Sequence, residues 1–296
     1  MSQLKISVII PVYEEKEYLS SCLDSLLNQD FKENYDILLI ETGSDDGSDQ
    51  ICKAYQEKAP NRVFWYHYPE NKGISYARNL GLLHAMGEYV TFVDGDDTVS
   101  KDYLSSLYSE TGNSDIAIVT GGHDIVDGEA SKKVKSVSYH GDGNKALLKF
   151  YSGKKKYFNY TCWARLYKRS FLQANKLFFP NEVGVYEDFI FLNEAFSCSC
   201  QTVFFKEVIY HYRKHSSSTL AKKKDHLTPA LSALQLSKMR VSMRNPELAK
   251  KLFSHLSFRF SLRIRKEIKK LANSEGKDKK KLQEETKEKL ALLFVK

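Results

Sequence analysis

Five short runs rich in β-branched and aliphatic residues recur across the first 120 positions: "KISVII" (5–10), "DILLIE" (36–41), "RVFWYH" (62–67), "EYVTFV" (88–93) and "DIAIVT" (115–120). Between them the spacing turns helical. Tyr18, Cys22 and Leu26, then Ile51 and Tyr55, recur at one-turn intervals, and "ISYARNLGLLHAM" has the composition of a helix with one buried face. This alternation constrains the fold more than any other feature, because a βαβ series predicts a largely parallel central sheet covered by helices on both faces. Ligands of such sheets sit outside the carboxyl ends of the strands. Polar and acidic residues collect at three of those ends, as "PVYEE" after the first run, "ETGSDDGSD" after the second and "DGDD" after the fourth.

The last of these places Asp94, Asp96 and Asp97 within four residues. Like charges this close are tolerated when a divalent cation joins them, and all-oxygen ligation favours a hard metal, Mg²⁺ or Mn²⁺. Asp94 and Asp96 are the candidate ligands, with Asp97 shaping their loop. The residues alone leave an ordinary acidic turn open. They also leave a second chemistry open, since "FVDGDDT" (92–98) is similar to the D-x-D-x-T signature of haloacid-dehalogenase-like phosphatases. There Asp94 would be a nucleophile. That signature normally follows the first strand of its core, however, and no downstream "GDxxxD" element is present. Nor does the first strand lead into a G-x-G-x-x-G turn, which argues against a dinucleotide oxidoreductase.

The rest of the chain is less regular. Residues 121–160 predict a strand or two and one short helix around "NKALLKFY"; "TVFFKEVIYHYR" (202–213) predicts a strand, and a Ser-rich loop "KHSSST" follows. Beyond Leu227 the pattern is mostly helical, with Leu248, Leu252, Leu256, Phe260, Ile264 and Ile268 at i, i+4 spacing. Charge divides the chain in the same place. Residues 221–296 hold 21 Lys and Arg against 8 Asp and Glu, a net of +13, so with +8 overall the first 220 residues carry −5. A basic tail on an acidic body fits an anionic membrane surface; it fits equally a helical appendage or dimerisation element packed on the rest of the chain. No nucleic-acid-binding motif accompanies the charge, and no nucleic-acid partner is expected. The five cysteines form no C-x-x-C pair and predict reduced thiols. "MSQLKISVIIPVY" has one lysine and an apolar run broken by Pro11, and no run of about 18 apolar residues occurs, so the expected location is cytoplasmic, peripheral at the inner face of the cell membrane if the tail engages lipid.

Taken in order, "ISVIIPVYE" (6–14), "LDSLLNQDF" (23–31), "SDDGSDQICKAYQEK" (44–58), "ENKGISYARNLGL" (70–82), "GEYVTFVDGDD" (87–97), "WARLYKRSFL" (163–172), "YEDFIF" (186–191) and "YHYRKHSSST" (210–219) strongly resemble the family 2 inverting glycosyltransferases of bacterial surface-polysaccharide type. The succession covers most of residues 4–219 and is far more specific than any single piece. It implies an α/β GT-A fold, Rossmann-like, spanning residues 1–220. A donor half would cover about 1–120 and an acceptor half about 121–220, followed by the basic, mostly helical region 221–296.

The resemblance also implies roles. Pro11, Val12 and Tyr13 match the nucleobase shelf, followed by Glu14; Arg78 and Asn79 match a donor-contacting "ARN". Asp94, Gly95 and Asp96 match the D-x-D loop, with Asp96 the principal metal ligand. Asp188 matches the general base, with Glu187 supporting it and Tyr186, Phe189 and Phe191 as surroundings able to raise its pKa. Arg213, His215 and Ser218 match a loop that closes over the diphosphate, His215 being a further candidate metal ligand; Trp163 is a candidate acceptor contact, which core packing explains equally well. One departure stands out. The family usually carries an acidic residue that hydrogen-bonds the nucleobase, where this chain has Glu41 and Thr42. A threonine offers only a neutral hydrogen bond, although the longer arm of Glu41 could still serve. The implied activity is metal-dependent, inverting transfer of a sugar from a nucleotide-diphosphate donor, UDP favoured, to a hydroxyl of a glycan or lipid-linked glycan. A nucleotide-sugar-binding scaffold without turnover is the non-catalytic alternative.

Overall fold

The computed structural model describes residues 3–112, 115–134, 136–152, 160–198, 200–215, 227–254 and 256. Strands β1 (Ile6–Val12), β2 (Tyr35–Thr42), β3 (Val63–Tyr68) and β4 (Tyr89–Phe92) pair in parallel in the order β3-β2-β1-β4. Every residue of β1 and β2 is buried, because helices lie against both faces. Ile9, Leu38 and Ile40 pack with helix α3 (Ile74–His84), whereas Val8, Ile10, Ile37 and Leu39 pack with α1 (Leu19–Leu27) and α2 (Ser48–Lys58). The near-continuous apolar runs of the sequence are this two-sided burial. Gly81 lets α3 approach β1 closely, since a Cβ there would lie 2.2 Å from Ile9 Cγ2.

Beyond β4 the sheet stops being a simple parallel series. The fifth apolar run becomes β6 (Ile116–Asp127), but β9 (Arg165–Lys168) sits between β4 and β6, antiparallel to both. β10 (Gln201–Arg213) then pairs parallel to β6, with register shifts between Phe204 and Tyr210, and carries β5 (Thr98–Val99) and β8 (Tyr139–Asp142) on its edge; β7 (Ala130–Lys133) pairs with β6. A 10-stranded sheet results. The halves expected to handle donor and acceptor are therefore interleaved within one sheet, strand β9 from the later half lying against β4 from the earlier one. The direction change brings the ends of β4 and β10 together, which no local pattern predicts.

The remaining helices complete the layers. α4 (Tyr103–Ser109) joins the α1 face; α5 (Gly143–Ser152), α6 (Arg169–Ala174), α7 (Glu187–Ser197) and α8 (Leu227–Arg244) join the α3 face. α8 packs on α7, and Leu248, Leu252 and Leu256 extend the same core. The first part of the basic tail is thus built into the molecule. Phe260, Ile264, Ile268 and the boundary expected at residue 220 lie outside the described residues. Among the described residues no helix is long and apolar enough to cross a membrane. All five cysteines carry free thiols.

Candidate active site

The loops leaving β1, β2 and β4 meet at one edge of the sheet. The main-chain N–H groups of Glu14, Glu15 and Lys16 donate to Ser44 Oγ (3.1 Å), Ser48 Oγ (2.9 Å) and an Asp46 carboxylate oxygen (2.9 Å), lacing the first loop to the second. Gly43, at φ 69°, lies where a Cβ would come within 2.6 Å of the Pro69 carbonyl oxygen, so only glycine allows the third loop to close in. Pro11 and Val12 are buried in β1, while Tyr13 emerges from it 40% exposed, with Glu14 beside it at the surface.

Glu41 does not reach outward. Its side chain is fully buried, its carboxylate accepting a hydrogen bond from the Ser44 N–H (2.6 Å) and pairing with His67 Nδ1. Thr42 is also buried, its hydroxyl 3.4 Å from the Val12 carbonyl. The longer arm expected to compensate for the missing acid is engaged in holding the loop instead.

The acid cluster solves its repulsion residue by residue. Asp94 Oδ1 accepts from Arg78 Nη2 (2.8 Å). Asp96 Oδ2 lies 2.8 Å from His215 Nε2. Asp97, fully buried, accepts from the Tyr210 hydroxyl (2.6 Å) and the Arg213 N–H (2.7 Å), tying its loop to the end of β10 as a loop-shaping residue would. Burial, and then the charge of Asp94, pushes the Asp96 carboxyl up; burial with both neighbours pushes Asp97 well up.

Arg78 is the hub. Its guanidinium, 1% exposed, donates to Asp94, to Glu187 Oε1 (2.8 Å) and to Asp188 Oδ1 (2.7 Å), so one buried cation serves three carboxylates from two distant segments. The second Asp188 oxygen accepts the Cys162 N–H (2.9 Å). Burial raises the Asp188 carboxyl to about 7; Arg78 and the Cys162 hydrogen bond oppose that rise, while Glu187 and Asp94 add to it. Glu187 and Asp188 stand in the first turn of α7. Asn79 is fastened to the main chain of Phe179 by two hydrogen bonds (2.8 and 2.9 Å), and the Arg78 guanidinium lies 5.3 Å from the Phe179 ring centre. Arg78 and Asn79 of the "ARN" run are thus both engaged within the protein, the first by three carboxylates and the second by the Phe179 main chain.

At the rim, Arg213 Nε donates to the Asp96 carbonyl (2.9 Å), and its guanidinium lies 4.9 Å from the centre of the Tyr18 ring. The His215 ring is also 4.9 Å from Tyr18. The Tyr18 ring thus lies against both Arg213, at the end of β10, and His215 just beyond it, a contact its helical spacing with Cys22 and Leu26 conceals. Ser218 lies outside the described residues. Trp163 is 4% exposed and packs in the core, stacked on Tyr210 (4.3 Å, 2°), with Tyr212 (5.8 Å, 14°) and His123 (4.9 Å, 75°) around it.

Among the described residues no three His, Cys, Asp or Glu side chains converge as a metal cage, Asp94 being turned to Arg78. Asp96, paired with His215, still offers a carboxylate to a hard cation of the Mg²⁺ kind, which takes one or two carboxylates and completes its shell with water and substrate phosphates.

Residues 7–175 match the family described as "Glycosyl transferase family 2". The putative glycosyltransferase EpsH of Bacillus subtilis is 32% identical over 218 residues, 72% of this chain and 62% of that protein. The poly(ribitol-phosphate) beta-glucosyltransferase of Bacillus spizizenii is 32% identical over 196 residues, 65% of this chain and 30% of that protein. The chain thus spans less than two thirds of the length of either relative. Among solved structures, S. aureus TarS 1-349 in complex with UDP-GlcNAc superposes with a TM-score of 0.72 at 22% identity, over 87% of this chain and 73% of that one, a likeness of fold. With residues 7–175, more than half its length, matched to the family, the chain belongs to glycosyl transferase family 2.

Proposed function

We propose that this chain is a metal-dependent, inverting glycosyltransferase that moves a sugar from a nucleotide-diphosphate donor, a UDP-sugar by preference, to a hydroxyl of a glycan in surface-polysaccharide or glycoconjugate synthesis. The observation that carries this is the Arg78 hub, which holds Asp188, a carboxyl raised to about 7, against the Asp94 loop. A base of that strength suits an acceptor hydroxyl near neutral pH. Asp188 takes the hydroxyl proton as the oxygen attacks the anomeric carbon; the bond from that carbon to the diphosphate breaks, and the nucleoside diphosphate leaves with the electron pair. Attack opposite the leaving group inverts the anomeric configuration.

Arg213 and His215, both in contact with Asp96, would stabilise the negative charge that develops on the diphosphate, and the exposed Tyr13 ring would stack on the nucleobase. A cation held by Asp96 and His215 would supply further neutralisation of that leaving group. The preference for uridine draws on the UDP-GlcNAc complex of TarS, since the inward turn of Glu41 removes the acidic contact usual at the nucleobase. A phosphatase mechanism is disfavoured: its nucleophile would be Asp94, one oxygen of which is bound by a buried arginine. Basic residues beyond 256 would hold the enzyme at an anionic membrane carrying a lipid-linked acceptor.

The test is a thermal-shift screen of nucleotide sugars with and without Mn²⁺, followed by nucleotide release assayed with glycan acceptors. Stabilisation that needs the metal, and release that needs the acceptor, are expected. Binding without any acceptor-dependent release would leave a scaffold; phosphate release from small phosphoesters would restore the phosphatase.

A further inference from the structure

We propose that helix α8, the first part of the basic C-terminal region, is a positioning element for the base Asp188, acting through Glu194, Arg240 and Arg244; this rests on the transferase function proposed above. Glu194 lies on α7 six residues beyond Asp188 and is 7% exposed. Two arginines from α8 clamp its carboxylate. Arg240 Nη1 donates to Oε2 (3.2 Å), and Arg244 reaches Oε1 with Nε (2.8 Å) and Nη2 (2.7 Å). A second buried tie runs alongside, from Asn193 Nδ2 to Ser237 Oγ (2.9 Å), with the Tyr151 hydroxyl donating to Asn193 Oδ1 (2.6 Å).

The same guanidinium groups hold a second segment. Arg244 Nη2 donates to the Asn175 carbonyl (2.7 Å) and Arg240 Nη1 to the Phe178 carbonyl (3.1 Å). The next residue, Phe179, is the one whose main chain is held by Asn79 and whose ring meets the Arg78 guanidinium and stacks on Phe191 of α7 (4.1 Å, 10°). Two arginines thereby fix both supports of the hub: the helix that carries Asp188 and the segment on which Arg78 and Asn79 rest.

Net stability is a weak reason for such an arrangement. A buried acid between two arginines recovers little more than its desolvation cost, and apolar side chains of similar volume would hold the helices together as well. What the planar, multiply bonded guanidinium groups add is one fixed rotational setting of α7 relative to the 175–179 segment. Displacing a reacting group by 1 Å can cost about 100-fold in rate. A clamp two turns down the same helix is well placed to prevent that.

The experiment uses the full-length chain with Glu194→Gln, Arg244→Ala, Arg244→Lys and Arg240→Lys, each assayed for kcat and donor KM well below its own melting temperature. Glu194→Gln is expected to lower kcat about 10-fold or more with donor KM within about 2-fold of the parent, since the donor loops are untouched. Arg244→Lys is expected to recover part of the kcat lost in Arg244→Ala, because an ammonium still pairs with Glu194 but cannot span the Asn175 carbonyl as well. Folded variants with parental kcat, or a kcat loss matched by the loss of folded protein, would overturn the clamp. Should Glu194→Gln fail to fold, the two lysine variants decide the matter by the same criteria. Parental turnover is measured alongside: its absence with every nucleotide sugar overturns the transferase function and the clamp together, whereas normal parental turnover with unaltered variants overturns the clamp alone.

Discussion

Replacing Arg78 with methionine keeps most of the side-chain volume and removes the one charge on which Asp94, Glu187 and Asp188 converge. Their side chains are only 23%, 11% and 15% exposed, so water cannot fully take over from the guanidinium. Removing one partner of a buried ion pair typically costs about 3–5 kcal/mol. Three acids share this cation, and Asp188, which burial raises to about 7, relieves part of the cost by taking up a proton, so that range is the expected loss near pH 8. For a chain of this size it corresponds to roughly 6–20 °C in Tm. The loss must also depend on pH. Burial already raises the Asp188 carboxyl above its unfolded value, and without Arg78 it rises further, so the folded variant binds more protons than the unfolded chain between those two values and its stability falls as pH rises. Urea unfolding of parent and variant at pH 5.5 and pH 8 measures both effects. A variant as stable as the parent at pH 8, or a deficit equal at the two pH values, would refute the assignment of Arg78 as the compensating charge.

Further outcomes follow from the same geometry. Asp188→Asn is expected to cut transfer by about 10²–10⁴-fold while sparing donor-induced thermal stabilisation, and kcat/KM of the parent should rise with pH and level off above about 7 as the carboxyl ionises. Tyr18→Ala should raise donor KM about 2–5-fold by unseating Arg213 and His215, with Tyr18→Phe close to the parent, as read in initial-rate assays. Sedimentation with anionic vesicles should show salt-sensitive binding by the whole chain and its loss on truncation after residue 256. Truncation at 227 would instead strip buried Leu231, Leu234 and Val241 from the core, and should unfold α7 as judged by circular dichroism.

The early strands are legible in the sequence because two-sided burial writes itself as uninterrupted aliphatic runs, and the loops after β1, β2 and β4 are legible because polar residues interrupt those runs abruptly. What joins the loops is not. Arg78 is 16 residues from Asp94 and 110 from Asp188, and its place beneath both follows only from α3 and α7 packing on one face of the sheet. The insertion of β9 is hidden for the same reason: four residues, "RLYK", acquire a neighbour on each side from far along the chain. Tyr18 and Trp163 are ambiguous in the sequence for the same reason: helical spacing does not say that the Tyr18 ring meets Arg213 and His215, and nothing local says that Trp163 stacks on Tyr210.

That covered tryptophan has an optical use. The chain holds two tryptophans, and Trp163 lies parallel to Tyr210, whose hydroxyl bonds Asp97 and lies 3.2 Å from the Asp94 N–H. Any donor or cation that reorients the acid loop also tugs on the ring stacked against the indole. Intrinsic fluorescence of the unlabelled protein, with Trp65 replaced by phenylalanine to remove its background, would therefore follow occupancy of the site in real time.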